Sequence, residues 1–220
     1  MIKAWLKSTQ KFMGDDMVNI HKSSVVETTD IGEGTHIGPF TYVSKRVKIG
    51  KNCRIYSASI GLPGEHPNGA EDKGGLVIIG DNVEIREYVT INTPLFTERT
   101  LLEDGCYLMA KSHVGHDAWL KERVVLHTGA IIGGHSTIGR YCYMGLNCST
   151  HPFAVLGDYC IVGANGVFKG ESPSAITWAG VPAKPIKINK IGLDRHAAEE
   201  EKLMLITLAE DFFSVRRPNQ

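Results

Sequence analysis

LEDGCYLMAKSHVGHDAWLKERVVLHTGAIIGGHSTIGRYCYMGLNCSTHPFAVLGDYCIVGANGVF, residues 102–168, decides the fold. Counted in sixes, its hexads open on Leu102, Leu108, Val114, Leu120, Leu126, Ile132, Ile138, Met144, Thr150, Leu156, Val162 and Phe168. Only Thr150 in that series is not a bulky apolar residue. Neither the helical period of 3.6 nor the strand period of 2 sustains a step of six over such a distance. Glycine follows the aliphatic residue at 115, 133, 139, 145, 157 and 163, and a small or β-branched side chain comes four places after it. Outward from this stretch the same step runs through Val25, Ile31, Ile37, Val43, Ile49 and Ile55, and again through Ile79, Ile85 and Ile91.

A hexad with one large aliphatic, one glycine and one small residue fits a parallel β-helix, an all-β solenoid. The aliphatic and small residues point inward, three hexads make an 18-residue turn, and turns stack about 4.8 Å apart as parallel strands. Glycine is expected to ease the backbone near each corner. The spacing predicts a solenoid over 17–191, interrupted by a projecting Gly- and Pro-rich loop at 61–78 and an irregular connection at 92–101. From Gly192 the pattern turns helical through Leu193, Leu205, Ala209 and Phe213, giving a short α-helical extension over 192–220. Apolar residues in 1–16 are spaced for a helix as well.

The chain has 220 residues, with 24 basic side chains against 24 acidic ones. Zero net charge gives no reason to expect nucleic acid or an anionic membrane surface as the main partner. No apolar run approaches the ~20 residues of a membrane span, and the first residues lack a secretory signal. These features lead us to expect a cytoplasmic protein. All five cysteines (Cys53, Cys106, Cys142, Cys148 and Cys160) fall in the small-residue phase. That placement reads as buried packing rather than disulfides, redox chemistry or a zinc ribbon.

Candidate chemistry lies in hexads 114–119, 132–137 and 150–155, each one turn after the last. They carry His116, His135 and His151, with His113 just before the first. Stacked histidines serve as general base, nucleophile or metal ligands, or simply as corner residues pairing with backbone carbonyls. Asp117 follows His116 directly. Neighbours on a flat strand point to opposite faces, so a His–Asp dyad here requires a corner between them.

The segments MAKSHVGHDAWL (109–120), AIIGGHSTIG (130–139), STHPFAVLGDYCIVGA (149–164) and PAKPIKINKIGLDRH (182–196) resemble the UDP-N-acetylglucosamine 3-O-acyltransferases of lipid A synthesis. The resemblance covers about residues 18–196 and implies a left-handed β-helix, a hand that the spacing alone does not set. It implies transfer of an acyl chain from acyl carrier protein to a hydroxyl (or amine) of a UDP-amino sugar, by a homotrimer with its active sites between subunits. His116 matches the general base, Asp117 its partner, and Gly134 the oxyanion-binding amide. His113, His135, His151, Asn189 and Arg195 match substrate-binding residues, and Ala164 falls where acyl length is set. No metal and no permanently bound cofactor is implied, because the acyl-phosphopantetheine donor is a co-substrate. Pro152 stands where the family has an amide side chain, and Ile191 where it has an acidic one.

The stretch AGVPAKPIK (179–187) also resembles the donor-binding segment of acetyl-CoA-dependent sugar acetyltransferases, the alternative reading. A zinc-dependent carbonic anhydrase and a non-catalytic scaffold are the rivals from other classes.

Overall fold

The computed structural model describes residues 17–66 and 73–215. The helix expected within 1–16 lies outside the described residues, as does the Arg216–Arg217 end of the extension. Short strands wind into a three-faced prism whose faces are sheets of ten, eight and seven strands. On the first face Tyr107, Val125, Tyr143 and Ile161 pair in succession, each 18 residues after the last. The second face carries His113–Val114 beside Ile131–Ile132, and the third carries Trp119–Leu120 beside Thr137–Ile138. Every inter-turn pairing is parallel, so each coil satisfies the backbone groups of the next.

The hexad phases account for the interior. Leu108, Val114, Leu120, Leu126, Ile132 and Ile138 are completely buried, and the cysteines lie among them. Burial pushes the Cys106 and Cys148 thiols up to about 12 and that of Cys53 to about 11. Cys53, Cys142 and Cys160 each donate to a carbonyl of the following coil at 3.1 Å. All five are small buried packers with a weak donor, and burial holds Cys53, Cys106, Cys142 and Cys148 away from the thiolate state.

Two expectations are corrected. The first coil is entered through Val26, which pairs with Val43 and packs on the core, whereas Val25 is 58% exposed. The hexad glycines also do not turn the corners. A Cβ at Gly139 would stand 2.5 Å from the backbone of Gly157 and Asp158, so this glycine is required by the close approach of the next coil. The turning is done two places later, at residues of positive φ that are glycine at 34, 105 and 129 and non-glycine elsewhere, such as Asp117, His135, Tyr141, Asn147 and Phe153. Such a conformation costs an ordinary L-residue roughly 1–2 kcal/mol and is tolerated best by Asn and Asp.

Both interruptions are shorter than expected, because their flanks join the sheets. Leu76–Ile79 and Arg99–Leu102 are paired strands, leaving 93–98 irregular in the second interruption and, among the described residues of the first, 63–66 and 73–75. Both leave the prism at one corner, between the second and third faces. At the far end Lys184–Ile188 returns antiparallel along Ile176–Ala179, a hairpin that the fading hexads did not announce. Helices α1 (Lys190–His196) and α2 (Glu199–Val215) then cap the open coil. Glu201 bonds both Arg140 (3.0 Å) and the Tyr159 hydroxyl (3.1 Å), and Leu193 and Leu205 bury against Tyr159 and Ala175.

Candidate active site

His116 and Asp117 are the two residues of one corner, with Asp117 in the left-handed region at φ 61°. That turn brings adjacent side chains together instead of sending them to opposite faces. The imidazole Nδ1 lies 2.7 Å from Asp117 Oδ2. A carboxylate only accepts, so the shared proton belongs to Nδ1, and Nε2 is the nitrogen left with a lone pair.

Asp117 is held from below by the segment 93–97. Its oxygens accept from the backbone N–H groups of Leu95 (3.1 Å), Phe96 (3.2 Å) and Thr97 (2.7 Å), and from the Thr97 hydroxyl (2.5 Å). Three successive amides converging on one anion form a nest. Burial of this fully covered side chain opposes its charge, yet the bonds from Thr97, His116 and Leu95 prevail and hold the carboxyl at about 2.

One coil up, the same corner is Gly134–His135, and one further up it is Pro152–Phe153. The His116 ring lies against Gly134, where an added Cβ would fall 2.8 Å from the imidazole Nε2 and Cε1. Any side chain at 134 would displace the imidazole. The Gly134 carbonyl accepts from Phe153 at 2.9 Å, and its N–H has no acceptor among the described residues. His135 stands perpendicular to His116 at 5.2 Å, with Nε2 3.6 Å from Asp117, and stacks on Phe153 at 4.4 Å. Burial pushes the imidazoles of His135 and His113 below the ordinary histidine range, which keeps them neutral at pH 7.

A cavity of about 490 Å3 opens beside this corner, lined by Glu65, His66, Phe96, His116, His135, Pro152 and Phe153. Glu65 and His66 of the first loop therefore reach the site, as does Phe96 of the second. His116, Asp117 and His135 offer donor atoms within 4.8 Å of one another. The Asp117 lone pairs are already filled by N–H and O–H donors, so the trio is arranged as a proton-handling array rather than an open ligand set.

The remaining sequence candidates fall elsewhere on the chain. His113 is half-buried on the second face with Nδ1 2.8 Å from Thr90 Oγ1. His151 is exposed on the shoulder of the site corner and bonds the Pro152 carbonyl at 3.1 Å. Ala164 is exposed at the corner between the first and second faces. Asn189 is buried; its Oδ1 caps α1 at the Gly192 N–H (3.0 Å), and its Nδ2 donates to the Tyr159 carbonyl (2.7 Å). Arg195 is exposed in the last turn of α1, beside the corner between the third and first faces. Three corners thus share the candidates, about 15–20 Å apart for hexad-long sides. Thr97, Phe96 and Phe153 were not singled out from the sequence. The one signal was the place of the second interruption, 92–101, which contains positions 98–99, eighteen before His116–Asp117.

Comparison with known proteins follows this geometry. Residues 28–60 match the family model described as bacterial transferase hexapeptide (six repeats). The chain is 32% identical to the acyl-(acyl-carrier-protein)–UDP-N-acetylglucosamine O-acyltransferase of Halorhodospira halophila, over 85% of this chain and 81% of that one. It is 28% identical to the Campylobacter concisus enzyme of the same name, over 90% and 84%. Among solved structures, LpxA from Acinetobacter baumannii superposes with a TM-score of 0.75 at 21% identity, covering 94% of this chain and 85% of that one. The shared architecture is the left-handed parallel β-helix with a C-terminal helical part. The chain belongs to the acyl-(acyl-carrier-protein)–UDP-N-acetylglucosamine O-acyltransferase family.

Proposed function

We propose that the protein transfers an acyl chain from the thioester of acyl carrier protein to a hydroxyl of a UDP-amino sugar, with the corner at His116 as its active site. The carrying observation is the Nδ1-anchored imidazole of His116, packed on Gly134 and opening onto the aromatic-lined cavity. His116 Nε2 takes the proton of the attacking hydroxyl as its oxygen adds to the thioester carbonyl carbon. The Gly134 N–H donates to the oxyanion that forms. On collapse the C–S bond breaks, and the imidazolium returns its proton to the leaving thiolate. Asp117 stays ionised throughout, keeping the tautomer and stabilising the charged ring. His135, neutral and adjacent, is placed to bond the sugar.

Arg195 and Ala164, exposed at the other two corners, serve the same reaction if a neighbouring copy brings its own corners to this one, which is the basis for proposing a homotrimer, whereas the buried Asn189 keeps a structural role; the protein is proposed to act in the cytoplasm. Lys184, Lys187 and Lys190 are exposed on the terminal hairpin and at the start of α1, a basic strip suited to an acidic carrier or a phosphate. No helix among the described residues is long and apolar enough to cross a membrane. The test is mass-spectrometric product analysis with acyl-carrier thioesters of several lengths, and with acetyl-CoA, against UDP-N-acetylglucosamine and its amino analogues. We expect an ester product from a carrier-bound donor. Product from acetyl-CoA alone would replace this reading by the acetyltransferase one.

A further inference from the structure

Asp117 orients His116 only if something orients Asp117, and the donors around it are not equivalent. Oδ2 faces the His116 Nδ1 (2.7 Å) and the Leu95 N–H (3.1 Å). Oδ1 is gripped by Thr97 alone at short range, through its N–H at 2.7 Å and its hydroxyl at 2.5 Å, while the Phe96 N–H straddles both oxygens at 3.2 and 3.3 Å. Thr97 therefore sets which oxygen is turned toward the imidazole.

The segment bearing Thr97 is itself braced. Thr93 and Thr100, at its ends, are completely buried. The Thr93 N–H donates to the Leu62 carbonyl (2.8 Å), Arg46 donates to the Thr93 hydroxyl (2.9 Å), and Thr100 Oγ1 accepts from the Asp117 N–H (2.9 Å). The neighbouring loop leaves it no slack, since a Cβ on Gly64 would lie 2.6 Å from Leu95 and 2.8 Å from His116. A rigid mount with two donors aimed at one carboxylate oxygen has the build of a supporting contact for a catalytic dyad.

We propose that Thr97 is a positioning residue of the acyl-transfer centre, pinning Asp117 through its hydroxyl and amide so that His116 is presented in its Nδ1–H tautomer. The idea rests on the general-base reading of His116 and goes beyond it, because it assigns work to a side chain that touches neither substrate nor the base.

The test compares Thr97→Val, which keeps the shape and the amide but deletes the hydroxyl, with Thr97→Ser, which restores it. The Val variant should lose about tenfold in kcat with KM changed less than about twofold, and the Ser variant should recover most of that loss. A 13C titration of the Asp117 carboxyl gives a readout independent of turnover: its midpoint should rise in the Val variant and return in the Ser variant. Wild-type kcat in Thr97→Val, equal impairment of both variants, or an unmoved Asp117 midpoint each overturns the proposal. If His116→Ala retains transfer, it is the general-base reading that fails, and the carboxyl titration still decides whether Thr97 sets the state of Asp117.

Discussion

Alanine at His116 should lower kcat about a thousandfold, the usual loss when a positioned general base is removed, and leave the solenoid folded. The side chain lies at the rim of the cavity, 13% exposed, and the core columns do not include it. Its removal opens space next to Gly134 without uncovering a coil. KM should change little, since the imidazole acts on a proton that moves only as the reaction proceeds. Steady-state kinetics together with thermal unfolding of the purified variant check both halves. A variant with near-full turnover would remove His116 from the mechanism.

Asp117→Asn carries the second large effect, and its logic differs. Asparagine tolerates the left-handed backbone at this corner nearly as well as aspartate, so the substitution isolates the carboxylate from the turn. An amide has one accepting oxygen, and every neighbour of Asp117 is a donor. If that oxygen faces Thr97, the NH2 faces His116 and forces the imidazole into the tautomer with its proton on Nε2, where it cannot act as base. A loss of a thousandfold or more in kcat, roughly, is the expected consequence.

The Asn variant should also lose stability. The carboxyl is held at about 2 against the ordinary aspartate value of 3.8, a difference that corresponds to about 2 kcal/mol. A folded-state value below the unfolded one gives stability that is present above pH about 4 and fades as pH falls through about 2. Denaturant unfolding at pH 7 should therefore show the full deficit, and the wild-type and Asn curves should converge in strong acid. Equal stability at pH 7 would mean that the nest of 93–97 does not favour the charged form.

The period of six carried most of the fold in readable form. Residues such as Leu108, Val114 and Ile132 are forced inward because nothing else fits a narrow prism, and that constraint repeats every coil. The condition that His116 and Asp117 need a corner was also readable, since it follows from strand geometry. What the sequence hid was contact made across chain distance at irregular backbone. Thr97 meets Asp117 only because the 93–98 segment replaces a regular corner beneath it, and no periodicity describes that segment. Phe153 on His135 was hidden for another reason, in that an aromatic residue at positive φ is not a usual turn signal. Asn189 shows the reverse case: a residue singled out by family resemblance spends both ends of its amide inside the chain, capping α1 and tying it to the coil below.

The central claim is that the Nε2 side of His116 receives the acceptor hydroxyl, and a crystal structure of the protein with a bound UDP-amino sugar tests it most directly. The account places one sugar hydroxyl about 2.6–3.2 Å from His116 Nε2, within the cavity bounded by Phe96, His135 and Phe153. A sugar nucleotide seated at another corner, with no hydroxyl in reach of that nitrogen, would contradict it.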